Sequence, residues 1–156
     1  MTTANEARFA IKSGSHTTVA RASNIAEGIT IDLSRFSSVE LSDNNVTTWL
    51  SVGNTRFGVY SDPSVTGAGL SVADGRAGVV GVGGYALGGS FSWHSSRYGW
   101  TCDAALEYEV VLADGEILRA NIHEHPDIFW ASKEVAANLA SWRRSRCSSK
   151  GMCILL

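Results

Sequence analysis

Lys12-Ser13-Gly14-Ser15-His16 places a base, two small hydroxyls, a glycine and an imidazole in five consecutive residues. Small side chains and glycine let backbone N–H groups turn inward on an anion, as phosphate nests do, and a neutral imidazole at the end of such a loop is a competent nucleophile. A polar turn ending in a surface histidine has the same composition. The second concentration is Gly81-Val82-Gly83-Gly84-Tyr85-Ala86-Leu87-Gly88-Gly89-Ser90. Its glycines permit close backbone approach to a ligand, while the apolar residues between them anchor the loop. A dinucleotide fingerprint starting at Gly81 and Gly83 puts Ala86 at its third position, which that fingerprint tolerates. The objection to it is that Gly88 and Gly89 interrupt the long helix it needs. A glycine-rich turn in an all-β protein is the plain alternative. His123 and His125 form an HxH pair, but a metal centre needs three or four ligands and no third stands near in sequence. Trp93 and His94 read as aromatic packing and a surface or capped histidine.

The elements that must position these residues are short. Residues 8–133 alternate brief apolar runs with Gly, Ser, Asn and Asp, each run the length of a strand: Phe9 to Ile11, Ile29 to Leu33, Val46 to Val52 and Leu106 to Leu112. Leu106 to Asn121 reads as a hairpin reversed at Ala113-Asp114-Gly115. Pro126 suits the first position of a short helix to Lys133, with Asp127 at its positive end. Strands with short helices imply an α+β class.

Composition narrows the functions. The 156 residues suit one domain, with a 44% hydrophobic share sufficient for a core. With 13 basic against 15 acidic residues, bulk charge does not favour a nucleic-acid partner. No apolar run approaches the roughly 20 residues needed to span a bilayer, and residues 1–8 lack the apolar centre of a signal peptide, so neither membrane nor export is expected and an intracellular place is the default. Cys102, Cys147 and Cys153 form no CxxC pair and leave one over, which points away from zinc and from a disulfide framework. Of the 16 glycines, nine fall between Gly67 and Gly89, so they are placed rather than scattered. From Glu134 onward the chain holds four basic residues (Arg143, Arg144, Arg146, Lys150) against one acidic, with no apolar periodicity after Trp142.

In order and spacing, FAIKSGSH (Phe9 to His16), ITIDLSRF (Ile29 to Phe36), GVGGYALGGSFSWHSSRYGWTCD (Gly81 to Asp103) and EVVLADGEILRANIHEHPDIFWASK (Glu109 to Lys133) resemble one known domain. It is the FAD-binding domain of the vanillyl-alcohol oxidase and p-cresol methylhydroxylase type, in its berberine-bridge-enzyme-like branch. The resemblance implies an α+β fold of two small α/β subdomains, incomplete at both ends, with residues 1–133 as a partial FAD-binding domain. It implies that Lys12, Ser13, Gly14, Ser15 and His16 wrap the FAD pyrophosphate, with His16 the candidate covalent attachment point and Ser15 standing where a second glycine is usual. Gly83, Gly84, Leu87, Gly88 and Gly89 resemble the second cradling loop, with Ser90 where a third glycine is common. Tyr98, Gly99 and Asp103 match the segment that follows it, and the family pattern places a helix cap at His125. Ala77 occupies the place of a second, cysteinyl attachment in bicovalent members, so one covalent link is the most to expect.

What the resemblance implies for function is an FAD-linked oxidoreductase of secondary metabolism. It would move hydride from an alcohol, sugar or pathway intermediate to flavin, with dioxygen as acceptor and no catalytic residue yet assignable. Two alternatives are a catalytically silent flavin-binding fragment and a small non-enzymatic β-rich binding module. The family continues after its helix with a Gly-Gly-x-Asn/Lys-Phe-Gly-Ile-Val strand, where this chain reads Glu134-Val135-Ala136-Ala137-Asn138-Leu139-Ala140-Ser141-Trp142. The codons GAG GTG GCG GCA AAT TTG GCA TCG TGG encode that stretch, and from their third base they spell Gly-Gly-Gly-Lys-Phe-Gly-Ile-Val. Residues 134–156 are accordingly expected to be an aberrant basic tail, disordered or frame-shifted.

Overall fold

The computed structural model describes residues 8–134, 141–148 and 154–155. Strand β1 (Phe9–Lys12) lies parallel to β2 (Ile29–Asp32), in register from Phe9 opposite Ile29 to Lys12 opposite Asp32. A five-stranded sheet has the order β3 (Val39–Leu41), β4 (Thr47–Ser51), β8 (Ser141–Ser148), β6 (Ala105–Val111), β7 (Ile117–Asn121). Between β4 and β6 the chain forms α1 (Arg56–Ser61), α2 (Pro63–Gly67), the short β5 (Leu70–Ser71), α3 (Val82–Leu87) and α4 (Ser95–Tyr98). After β7 comes α5 (Pro126–Glu134), and β9 (Ile154–Leu155) pairs antiparallel with β5. No described helix is long and apolar enough to cross a membrane.

Local sequence explains most of these elements. Thr55 caps α1, its side chain accepting from Gly58 N, and Asp62 caps α2 ahead of Pro63 by accepting from Ser64 N. In the hairpin, Leu112 N donates to Glu116 O at 2.8 Å and Gly115 N donates to Leu112 O at 3.0 Å. Gly115 takes φ +92° while Asp114 does not enter the left-handed region. The reversal is therefore a three-residue loop with glycine at the left-handed position rather than a two-residue Asp-Gly turn.

Two apolar clusters form the core. One gathers Leu50, Val59, Val65, Leu70, Val72, Ala73, Val82 and Ala104; the other gathers Leu33, Val52, Ala86, Ala105, Tyr108, Val110, Leu118, Ala120 and Phe129. Helix α3 belongs to both, because Val82 and Ala86 are four residues apart and share one face. Phe129 of α5 is 1% exposed and its ring centroid lies 5.7 Å from that of Tyr108. Burying such a ring contributes about 2–3 kcal/mol.

Part of the segment expected to be an aberrant basic tail lies among the described residues. Residues 141–148 form β8, which pairs antiparallel with β4 on one side and β6 on the other. A slot between two strands offers backbone donors and acceptors to whatever extended chain enters it, so side-chain periodicity is not required. Residues 135–140, 149–153 and 156 of that segment lie outside the described residues.

Candidate functional site

The two glycine-bearing loops meet, although their nearest members, His16 and Gly81, are 65 positions apart in sequence. A Cβ on Gly14 would lie 2.4 Å from Gly81 Cα, and one on Gly81 would lie 2.6 Å from Gly14 Cα and N. Backbone passes backbone at a distance that only paired glycines allow. Each loop is also tied to the core. Ser13 Oγ donates to the Val52 carbonyl at 2.5 Å, while Arg56 N donates to Val80 O at 2.9 Å and Val82 N to Asn54 O at 2.9 Å. Gly83 fits the same junction, since a Cβ there would fall 2.6 Å from Val52 Cγ2 and 2.7 Å from Ser13 Oγ.

Gly84 is different. It is exposed, sits inside α3, and has nothing within 4 Å of where its Cβ would be. Glycine inside a helix costs about 1 kcal/mol relative to alanine, and no neighbour in the protein requires it. Further along, Gly88, Gly89, Trp100, Cys102 and Asp103 line a cavity of about 300 Å³, large enough for part of a dinucleotide. Asp103 shapes its wall: its carboxylate accepts from Trp100 N at 3.1 Å, close against Gly99, which takes φ +80°. Gly89 also takes a left-handed φ, +69°. Leu87 packs on the second cluster, and Tyr98 ends α4 with the Arg97 guanidinium 5.3 Å from its ring centroid. FAD therefore fits the residues present: two apposed glycine loops, open backbone at Gly84, and a cavity beyond.

The side chains of the first loop are less free than their sequence suggests. Lys12 Nζ is 2.9 Å from Asp32 Oδ2, and this hydrogen bond, with that from Ser34 N, holds the Asp32 carboxyl well below the usual carboxylate range. Both partners are solvent-exposed, so the pair adds little to stability. The Ser13 hydroxyl is engaged by Val52. Ser15 and His16 are exposed, and Ser15 adopts φ +57°, a left-handed conformation that costs a non-glycine residue about 1 kcal/mol. Ser15→Gly is expected to raise unfolding free energy by roughly 0.5–1 kcal/mol, measured by urea denaturation; a loss of stability would show that the Ser15 side chain makes a compensating contact.

Other groups gain their environment only in the fold. Asp74 is 4% exposed, accepts from Gly75 N at 2.7 Å through Oδ1, and has no partner at Oδ2. Burial raises its pKa to about 6, against the opposing hydrogen bond from Gly75 and the charge of Arg56. Burial, helped by the Asp74 charge, also pushes the Tyr85 phenol up. His94, read as an isolated surface or capped histidine, bonds Ser71 through Nε2 at 3.0 Å. His125 lies at φ +49° and its carbonyl accepts the first bond of α5 from Phe129 N, the place of a cap. Among the described residues no three His, Cys, Asp or Glu side chains cluster to hold a metal ion.

Residues 1–121 match the model of a family described as an FAD binding domain. An FAD-dependent monooxygenase of Emericella nidulans is 39% identical over 125 residues, covering 80% of this chain and 26% of that protein. The bifunctional solanapyrone synthase of Alternaria solani is 38% identical over 133 residues, covering 85% of this chain and 25% of that one. The chain thus spans about a quarter of the length of these curated relatives. Among solved structures, the carbohydrate oxidase of Microdochium nivale superposes with a TM-score of 0.86 at 22% identity, covering 94% of this chain and 31% of that one. At that identity the likeness concerns the fold.

Proposed function

This chain belongs to the FAD binding domain family, and on that premise we propose that it holds FAD between its two apposed glycine loops as part of an FAD-linked oxidoreductase. The observation that carries the reading is the contact of Gly14 with Gly81, which makes one cradle of two loops distant in sequence. Backbone amides of residues 13–16 and 83–84 would receive the diphosphate, because the Lys12 and Ser13 side chains and the Val82 amide are engaged elsewhere. Gly88, Gly89 and Asp103, which line the cavity, would enclose a further part of the cofactor, with Tyr98 and Gly99 on the segment that leads to Asp103. When bound, FAD supplies the redox chemistry, taking hydride from an alcohol, sugar or secondary-metabolite intermediate and passing electrons to dioxygen. Relatives described as an FAD-dependent monooxygenase and as a bifunctional solanapyrone synthase support the FAD-linked reading and, within that range, a secondary-metabolite intermediate.

The exposed His16 imidazole at the end of the first loop is the proposed covalent attachment point. Acid precipitation tests it: the pellet of flavin-loaded protein stays yellow, and the colour moves to the supernatant in His16→Ala. Colour released from the unaltered chain would contradict a covalent link while leaving the cradle intact.

A further inference from the structure

Trp100 is an indole that the fold holds in place without packing anything against it. Thr101 N donates to Ser90 O at 2.9 Å and Asp103 N to Trp100 O at 3.0 Å, while Trp100 N donates to Asp103 Oδ2 at 3.1 Å. Gly99 before it turns at φ +80°, and Thr101 and Cys102 after it are buried. The backbone is therefore anchored on both sides, yet Trp100 stays 55% exposed. Other tryptophans have company. The Arg119 guanidinium lies 5.9 Å from the ring centroid of Trp49, that of Arg76 lies 5.6 Å from Trp93, and the Lys133 ammonium lies 5.1 Å from Trp130. Among the described residues neither a ring nor a cation meets Trp100.

What Trp100 does meet is the cavity of about 300 Å³, whose wall it shares with Gly88, Gly89, Cys102 and Asp103. The composition of that wall selects its occupant. It holds a carboxylate and no base, so a phosphate there would face like charge. It offers two glycines that put no side chain into the space and one large aromatic surface. An aromatic wall with a single polar group to fix orientation suits a flat ring, and an indole gains most from offset stacking on another π system. Asp103 is the polar group. Its Oδ2 accepts from Trp100 N, and its Oδ1, without a protein partner among the described residues, is left to accept from an N–H of the ring.

We infer that Trp100 is a ligand-binding residue that stacks on a planar heteroaromatic ring bearing N–H donors, with Asp103 as their acceptor, so that the cavity takes the ring end of a nucleotide rather than its phosphates. The stack rests on the cavity wall alone. That the ring belongs to FAD rests on the proposed function, and both its adenine and its isoalloxazine have the required chemistry.

Proton–nitrogen correlation of tryptophan-labelled protein reads the site, with the Trp100 indole signal identified by its loss in Trp100→Phe. AMP and lumichrome present the two rings separately, and inorganic pyrophosphate presents the phosphates alone. At least one ring compound is expected to move the Trp100 indole resonance to saturation, whereas pyrophosphate leaves it in place. Movement with AMP assigns the adenine, and movement with lumichrome assigns the isoalloxazine. By equilibrium dialysis, Trp100→Leu, which keeps an apolar side chain, is expected to bind that compound about three- to tenfold more weakly, the weight of one aromatic pair, and Trp100→Phe to recover part of the loss. A Trp100 resonance that neither ring compound moves overturns the inference whether or not FAD binds, and decides even if Trp100→Leu fails to fold. Equal affinity in a folded Trp100→Leu overturns the stack, and a resonance moved by pyrophosphate overturns the choice of ring over phosphate. FAD binding is followed separately by quenching of flavin fluorescence. A ring compound that moves Trp100 while FAD fails to bind counts against the proposed function and leaves the stack standing.

Discussion

Gly81→Ala is expected to destabilise the chain by about 3 kcal/mol, the cost of forcing atoms into a filled site. Its new Cβ would meet Gly14 Cα and N at 2.6 Å and Ser13 Oγ at 3.2 Å. The first two are backbone and cannot rotate away. Relief would have to come from parting the loops, yet both are bound into the core, one through Ser13 to Val52 and the other through Val80 and Val82 to the start of α1. Denaturant titration should show a lower midpoint with little change in slope. A loss below about 1 kcal/mol, within the range of an ordinary surface substitution, would mean that the loops part readily.

The second large effect has the opposite sign. Asp74 is buried with one carboxylate oxygen unpartnered, and its pKa is raised from 3.8 to about 6. The folded chain therefore holds this proton more tightly than the unfolded one. Stability from this group is fully present below about pH 4 and is lost as pH rises through about 6. The shift corresponds to at most about 3 kcal/mol at pH 8. Asp74→Asn keeps an acceptor for Gly75 N and removes the charge. It should be more stable than the unaltered chain by roughly 1–3 kcal/mol at pH 8 and should converge with it near pH 4. A variant less stable at pH 8 would mean that the ionised carboxylate has a favourable partner, with Arg56 the nearest candidate.

These two residues mark what could be read in the chain and what could not. The glycine spacing of Gly81 to Gly89 was legible as a place where backbone must be approached, and the alternation in Leu106 to Leu112 as a strand, because both follow from local geometry. The hairpin and the helix from Pro126 were legible for the same reason. That Gly81 needs its missing Cβ because of Gly14 was not, since only the folded chain brings them together. The His94 contact was hidden likewise: its partner Ser71 lies 23 residues earlier, and serine carries no periodic mark. Asp74 stands in a mixed stretch, Val72-Ala73-Asp74-Gly75-Arg76, where nothing local marks it as the charge that folding buries. β8 escaped because a central slot is filled through backbone hydrogen bonds, so a segment with no apolar pattern can still be a strand.

If FAD lies in the proposed cradle, the bare backbone at Gly84 faces the flavin nucleotide, and glycine there serves the ligand rather than the fold. Gly84→Ala separates that from every structural reason, because its Cβ meets nothing in the protein and improves the helix. The measurement is FAD affinity by quenching of flavin fluorescence, alongside unfolding free energy, for the unaltered chain and the variant. Saturable binding to the unaltered chain is expected, with a variant that gains roughly 0.5–1 kcal/mol of stability while binding FAD at least about tenfold more weakly, a loss of about 1.4 kcal/mol. Equal affinity in both, or no FAD binding by the unaltered chain, would contradict it.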